Sequence, residues 1–244
     1  MGLEIKIESR DFCNAPQSAA LELPVNVVHV WQRSLDSHAA TVNAAYESLC
    51  PEERDRAARF RVERPRTDFI LTRSALRFLL AGYLKKTPQE LAFRLTEYGK
   101  PLLDEPSDLR FNVSHTEGLA LLAFVQQREI GVDVERIRPE PDARKLAERF
   151  FSVHERDAMQ HLHGDALQEA FFRSWSRKEA YIKARGEGLS LPLSQFDVSV
   201  EANISRVFLQ TRPDPAEASR WVIRNLEIST EYAAAVAFSG PSGA

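Results

Sequence analysis

The chain has 244 residues, of which 43% are hydrophobic and 27% charged, and its net charge is −3. That is ordinary globular material, enough for one large domain or two small ones, and the near-neutral balance argues against a protein that coats nucleic acid. The two cysteines, Cys13 and Cys50, are too few and too widely spaced for a disulfide framework or a zinc pattern, which fits a reducing compartment.

The N-terminal stretch "MGLEIKIESRDF" carries charges every few residues and has no apolar run, so it does not read as a secretory leader. Met1-Gly2 opens a myristoylation pattern, but Lys6 stands where Ser or Thr is wanted. "VNVVHVWQRSL", residues 25–35, is rich in β-branched residues and predicts a strand. "LCPEERDRAARF", residues 49–60, starts a helix at a proline, with acids in the first turn and arginines later. Residues 66–84 carry apolar side chains at a helical period, with a glycine near the end. "YGKPLL" is a turn leading into a short extended piece. "RFNVSH" and "LALLAFV" are two strands joined by "TEG". Gly118–Val125, the longest apolar stretch, is far too short to span a bilayer. The expectation is a cytoplasmic protein with no nucleic-acid or membrane partner.

"EIGVDVERI" predicts another strand. "PDARKLAERFF" and "SVHERDAMQHL" predict helices, the second with a capping box from Ser152 to Glu155. Residues 165–185 form the longest helix. "FDVSV", "RVFLQ", "WVIRNLEI" and "YAAAVAF" close the chain as strands. The pattern is α+β in two comparable batches of elements, divided near residue 129.

Chemistry concentrates in two stretches. In "IGVDVER", strand alternation turns Ile130, Val132 and Val134 to the core and projects Asp133 and Glu135 together, roughly 7 Å apart. Read alone, this is a solvent-facing surface with two ordinary acids. In "WSRKEAYIKARGEGL", Trp175, Glu179 and Lys183 are spaced four apart on one helix face. Read alone, these are a core tryptophan and a surface Glu–Lys pair. Taken together, three carboxylates beside a lysine match a site for a hard cation and a phosphate, because Mg²⁺ favours carboxylate oxygens plus substrate phosphates.

Other candidates are weaker. "YGKP" lacks Walker spacing, and no G-x-S-x-G elbow exists. Ser114 and His115 are adjacent on a strand and face opposite ways, so they suit strand-end hydrogen bonds or phosphate donors better than a nucleophilic pair. "HLHGD", residues 161–165, has no further ligand nearby in sequence. The arginines from Arg54 to Arg77 read as a solvated helix face or as an anion clamp.

"YGKPLL", "FNVSH", "GVDVER" and "FFRSWSRKEAYIKARGEGLSLPLSQFDV" occur in that order, and together they resemble the 4′-phosphopantetheinyl transferases of the larger, surfactin-synthetase-activating branch. The resemblance runs from about Leu49 to Val198. It implies an α+β fold of two similar halves related by pseudo-twofold symmetry, residues 1–129 and 130–244, with the active site between them. It implies a monomer that moves phosphopantetheine from coenzyme A to a serine of an apo acyl or peptidyl carrier protein, releasing adenosine 3′,5′-bisphosphate. By the same resemblance, Asp133, Glu135 and Glu179 match the Mg²⁺ (or Mn²⁺) ligands, and Glu179 also matches the base proposed for the acceptor serine. Lys183 matches a phosphate-contacting lysine. Lys178 matches a lysine of less defined role. Tyr98, Gly99, Lys100 and Pro101 match the loop at the adenine end, while Ser114, His115 and Arg56 match contacts to the 3′-phosphate. Glu53 departs from the family, which often has a lysine before that basic position, so the clamp is expected to lean on Arg54, Arg66 or Arg73. Two other classes remain: a non-catalytic CoA- or carrier-protein-binding module, and an unrelated Mg²⁺-dependent phosphoesterase.

Overall fold

The computed structural model describes residues 5–15, 20–202, 204 and 207–240. Met1 and Gly2, the start of the myristoylation pattern, lie outside the described residues, as does Arg206 at the head of the expected strand "RVFLQ".

In chain order the elements are β1 (Lys6–Asp11), β2 (Val27–Ser34), α1 (Ala39–Glu47), α2 (Pro51–Ala58), α3 (Glu63–Leu84), β3 (Phe93–Leu95), β4 (Pro101–Leu103), β5 (Leu109–Thr116) and β6 (Leu119–Gln126). They continue as β7 (Ile130–Arg136), α4 (Ala143–Phe150), α5 (Val153–Met159), α6 (Gly164–Arg185), β8 (Phe196–Val198), β9 (Leu209–Thr211), β10 (Trp221–Asn225) and β11 (Tyr232–Ser239). The order repeats. Each half runs strand, two short helices, a 22-residue helix, a two-stranded hairpin and two further antiparallel strands. Sheet order repeats as well: β2-β6-β5 in the first half matches β7-β11-β10 in the second, with β1 added parallel to β2 at one edge.

Strand alternation explains the layers. Val28 and Val30 of β2, with Leu121, Ala123 and Val125 of β6, meet Ile130, Val132 and Val134 of β7 and Val236 and Phe238 of β11, so the two sheets share one apolar core. The opposite face of the first sheet, with Trp31, Leu122 and Phe124, is covered by Leu76, Leu79 and Leu80 of α3. The opposite face of the second sheet, with Ala235 and Ala237, is covered by Ala180, Tyr181 and Ala184 of α6. The result is a helix–sheet–sheet–helix sandwich.

The α6 contact is unusually close. A Cβ at Gly131 of β7 would meet Lys183 C at 2.8 Å, and Ala180 O and Ala184 N closer still. Only glycine lets the helix backbone come this near the strand.

Most expected elements are present. The Ser152–Glu155 capping box exists, with Glu155 N–H donating to Ser152 Oγ at 3.3 Å and Ser152 N–H donating to Glu155 Oε2 at 2.9 Å. Strand β8 stops at Val198, two residues short of the expected "FDVSV". Helix α1 and strand β1 go beyond the expectation. Ala39–Glu47 has no capping side chain and a thin apolar face, and β1 is a half-exposed edge, so neither carries a strong periodic signal. Among the described residues, no helix is long and apolar enough to cross a membrane.

Candidate functional site

The site forms where β7 leaves the sheet–sheet core and turns its polar face to α6. Alternation buries Ile130, Val132 and Val134 in that core, as expected. Asp133 and Glu135 therefore face the helix. Asp133 is only 3% exposed, which rules out the reading of a solvent-facing acid. Lys183 on α6 donates to Asp133 Oδ1 at 2.6 Å and to Ser114 Oγ at 3.0 Å. Ser114 in turn donates to the same Asp133 oxygen at 2.9 Å. Glu179, one turn earlier on the helix, lies within electrostatic reach of Asp133 and Lys183. Glu135 feels Asp133, Glu179 and the Arg138 guanidinium.

Burial and the neighbouring Asp133 carboxylate push the Glu135 carboxyl up to about 7. Burial likewise raises Glu179, against the pull of Lys183. Asp133 Oδ2 is buried without any hydrogen-bond partner. An orphaned carboxylate oxygen beside two carboxyls that resist ionisation is a site short of positive charge. Its donors are all hard oxygens, the chemistry that suits Mg²⁺ or Mn²⁺. Among the described residues, no three His, Cys, Asp or Glu side chains already stand in an ion-holding arrangement. Asp133, Glu135 and Glu179 are the residues that would hold such an ion, which would supply positive charge beside a substrate phosphate.

Family profiles match both halves of the chain: "4'-phosphopantetheinyl transferase, N-terminal" over residues 31–127, and "4'-phosphopantetheinyl transferase superfamily" over residues 129–237. The chain belongs to the 4′-phosphopantetheinyl transferase superfamily. It is 35% identical to the 4′-phosphopantetheinyl transferase HetI of Nostoc sp., over 92% of this chain and 93% of HetI. It is 30% identical to the Bacillus subtilis transferase Sfp, over 78% of this chain and 82% of Sfp. It is also 28% identical to the human L-aminoadipate-semialdehyde dehydrogenase-phosphopantetheinyl transferase, over 82% of this chain and 70% of that protein.

In this phosphopantetheinyl transferase the remaining expected residues divide. Tyr98 is exposed at the tip of the β3–β4 hairpin, where Gly99 takes φ +81° and the Lys100 N–H donates to Thr96 Oγ1 at 3.0 Å. Pro101 opens β4. Lys100 points inward, with Nζ donating to Ile130 O at 3.1 Å and Ala184 O at 3.2 Å. It thus clasps the start of β7 to the C-terminal end of α6, where a cation complements the helix dipole. His115 is exposed at the end of β5, within electrostatic reach of Asp68 and Lys183. Arg56 is exposed on α2 and lies over the Phe69 ring, 5.1 Å from its centroid.

Of the arginines expected to replace the missing lysine, two are committed elsewhere. Arg73 pairs with Glu53 and lies 4.0 Å from the centroid of the Phe93 ring. Arg54 donates to Glu47 O at 2.8 Å and Leu49 O at 3.1 Å. Glu53 itself is buried, 7% exposed, and pairs with Arg77 as well as Arg73. The family departure at Glu53 is therefore a structural anchor between α2 and α3. Arg66 is exposed and, among the described residues, has no side-chain partner.

Lys178 does not reach the site. It is wholly buried, and Nζ donates to Glu155 Oε1 at 2.7 Å, Leu193 O at 2.7 Å and Phe196 O at 2.6 Å. Three acceptors satisfy its three donors and tie α6 to α5 and to the segment entering β8. Trp175 packs against Phe150, Phe151 and Phe171, so it anchors the helix as a core residue.

Residue patterns did not single out Asn112 and Thr116. Asn112 Oδ1 accepts from Val132 N–H at 2.9 Å, and Thr116 Oγ1 accepts from Arg136 N–H at 3.3 Å. The available signal was the period-two run Asn112, Ser114, Thr116 within "FNVSHT".

Proposed function

We propose that this chain transfers the 4′-phosphopantetheine group of coenzyme A to a serine of an apo carrier protein, working as a Mg²⁺-dependent monomer in the cytoplasm. The observation that carries the reading is the cluster of Asp133, Glu135 and Glu179 around Lys183, in a chain of this superfamily. In this reading residues 1–129 supply the CoA contacts, residues 130–244 supply the acidic residues, and the site lies between them.

Asp133, Glu135 and Glu179 would hold the ion, which supplies charge neutralisation at the CoA pyrophosphate. Glu179 takes the proton from the acceptor serine as general base. The serine oxygen bonds to the phosphorus that carries the pantetheine arm. The bond from that phosphorus to the bridging oxygen breaks, and adenosine 3′,5′-bisphosphate leaves with the electron pair. Lys183 has one N–H beyond the two committed to Asp133 and Ser114, and it gives this donor to the phosphate oxygens where charge accumulates. Arg56 and His115 attract the 3′-phosphate, and the Tyr98–Pro101 loop flanks the adenine.

The test is chromatographic detection of adenosine 3′,5′-bisphosphate in a mixture of the protein, CoA, Mg²⁺ and an apo carrier. Release that stops when the acceptor serine is replaced by alanine supports the transferase. Release that continues without any acceptor serine would favour CoA hydrolysis, and no release would favour a binding module.

A further inference from the structure

One buried clasp is built twice, once in each half. Glu53 of α2 and Glu155 of α5 each close a capping box: Cys50 N–H donates to Glu53 Oε2 at 3.2 Å, and Ser152 N–H donates to Glu155 Oε2 at 2.9 Å. Each carboxylate also takes a buried cation from the long helix of its own half. Arg77 Nε donates to Glu53 Oε2 at 2.5 Å, and Lys178 Nζ lies 2.7 Å from Glu155 Oε1. Arg77 and Lys178 occupy the same position in their 22-residue helices, counted from Glu63 and from Gly164. Each cation then donates to two carbonyls where the chain enters a hairpin: Pro88 O and Leu91 O ahead of β3, Leu193 O and Phe196 O at the start of β8. A charge buried this deeply holds its neighbours to one geometry, because loosening any of them leaves it unpaired.

The two copies differ in what they hold. In the first half Arg73 joins the pair on Glu53, and the Arg73 and Arg77 guanidinium groups lie 4.0 and 5.2 Å from the centroid of the Phe93 ring. Phe93 opens β3, so the arginines grip the β3–β4 hairpin by its entering carbonyls and by its aromatic ring. Two three-residue strands do not hold their own shape in water, so the loop Tyr98–Pro101 takes the geometry its anchors impose. Lys100 anchors that loop to β7 and α6 from the other end. In the second half the cation is the sequence neighbour of Glu179 on α6.

We infer that Glu53, Arg73 and Arg77 are positioning residues for the nucleotide end of coenzyme A, acting through the β3–β4 hairpin, whereas the equivalent Glu155–Lys178 pair positions α6 and acts on turnover. This rests on the transferase reading above, in which the Tyr98–Pro101 loop flanks the adenine.

The experiment compares Arg77→Met, Arg77→Lys, Arg73→Met and Lys178→Met with the unaltered protein. Calorimetry gives the affinity for adenosine 3′,5′-bisphosphate, which carries the nucleotide end of CoA and no pantetheine arm. Steady-state transfer gives kcat and the KM for CoA. Arg77→Met is expected to weaken bisphosphate binding and raise KM by about 10- to 100-fold, as misplacement of contacting groups does. Its kcat stays within about threefold. Arg77→Lys copies the cation that the second half uses at this place, and it restores the affinity to within about threefold. Lys178→Met lowers kcat by about 10-fold or more and leaves bisphosphate affinity unchanged. If Arg77→Met does not fold, Arg73→Met removes only the outer arginine, leaves Arg77 on Glu53, and weakens bisphosphate binding by about 3- to 10-fold. A lowered melting temperature with unaltered bisphosphate affinity and KM in a folded arginine variant would overturn the inference, and so would a Lys178→Met that shifts affinity rather than kcat. Absence of transfer by the unaltered protein would instead sink the transferase reading, while the bisphosphate affinities of the variants would still decide whether the clasp sets the nucleotide end.

Discussion

Gly131→Ala tests whether the close approach of β7 and α6 sets the active geometry. The added methyl would sit 2.8 Å from Lys183 C, with Ala180 O and Ala184 N nearer still, whereas ordinary contact begins at 3.4 Å. No flexible side chain can yield here, because all three atoms belong to the helix backbone. The helix must retreat by about 1 Å, and overpacking of this kind costs about 2–3 kcal/mol. For a chain of this size that is a melting-temperature drop of roughly 5–10 °C. Glu179 and Lys183 ride on the same stretch of helix, so the retreat carries them from Asp133. Displacement of about 1 Å at a reacting centre costs on the order of 100-fold in rate. The assay is urea denaturation followed by transfer kinetics at a temperature where the variant is folded. Unaltered stability would refute the packing argument. Lowered stability with full kcat would refute the claim that this contact sets the catalytic geometry.

The other predictions concern charge. Asp133→Ala and Glu179→Gln should each abolish carrier modification while leaving the circular dichroism spectrum intact, and Lys183→Ala should lower kcat strongly with a smaller effect on KM. Retained activity in Asp133→Ala would remove that residue from the proposed metal site. Glu53→Ala strands Arg77, which is only 2% exposed, so it should cost about 3–4 kcal/mol by denaturant titration. A loss under about 1 kcal/mol would mean that carbonyl contacts alone hold the arginine. His29 is fully buried between Arg10 and Glu8 of β1 and Tyr83 of α3. Arg10 can only donate to Nε2, so the ring donates from Nδ1 to the Tyr83 hydroxyl, which also accepts from Trp31 at 2.8 Å. Burial lowers this histidine to about 4 from its ordinary 6.5. Below pH 6.5 the unfolded chain takes up a proton that the folded chain refuses, so stability falls from pH 6.5 toward pH 4, by at most about 3 kcal/mol. His29→Gln should remove that slope, and an unchanged slope would show that other groups cause it.

What was legible in the sequence follows from periodicity. Period two in "IGVDVER" separates the core valines from Asp133 and Glu135, and the four-residue spacing in α6 puts Trp175, Glu179 and Lys183 on one side. Those patterns survive folding because each sits inside one regular element. The exceptions depend on partners distant in sequence. Lys178 looks like a neighbour of Glu179, but a step of one residue turns it about 100° around the helix, toward Glu155. Lys100 looks like a surface lysine in a turn, and only the meeting of β7 with α6 supplies the carbonyls that draw it inward. Arg73 reads as a free cation until Glu53 packs beside it. The repeat of strand, helices, hairpin and strands is visible in element order, whereas the polar seam from β5 to β7 needs the two sheets to be placed edge against edge.

The most direct measurement is intact-protein mass spectrometry of an apo carrier protein incubated with this chain, CoA and Mg²⁺, with an EDTA control. A mass gain of one phosphopantetheine that disappears with EDTA and with Asp133→Ala is expected. No gain on fatty-acid, polyketide or peptide carriers would contradict the transferase, and a gain that survives EDTA would contradict the metal role of Asp133, Glu135 and Glu179.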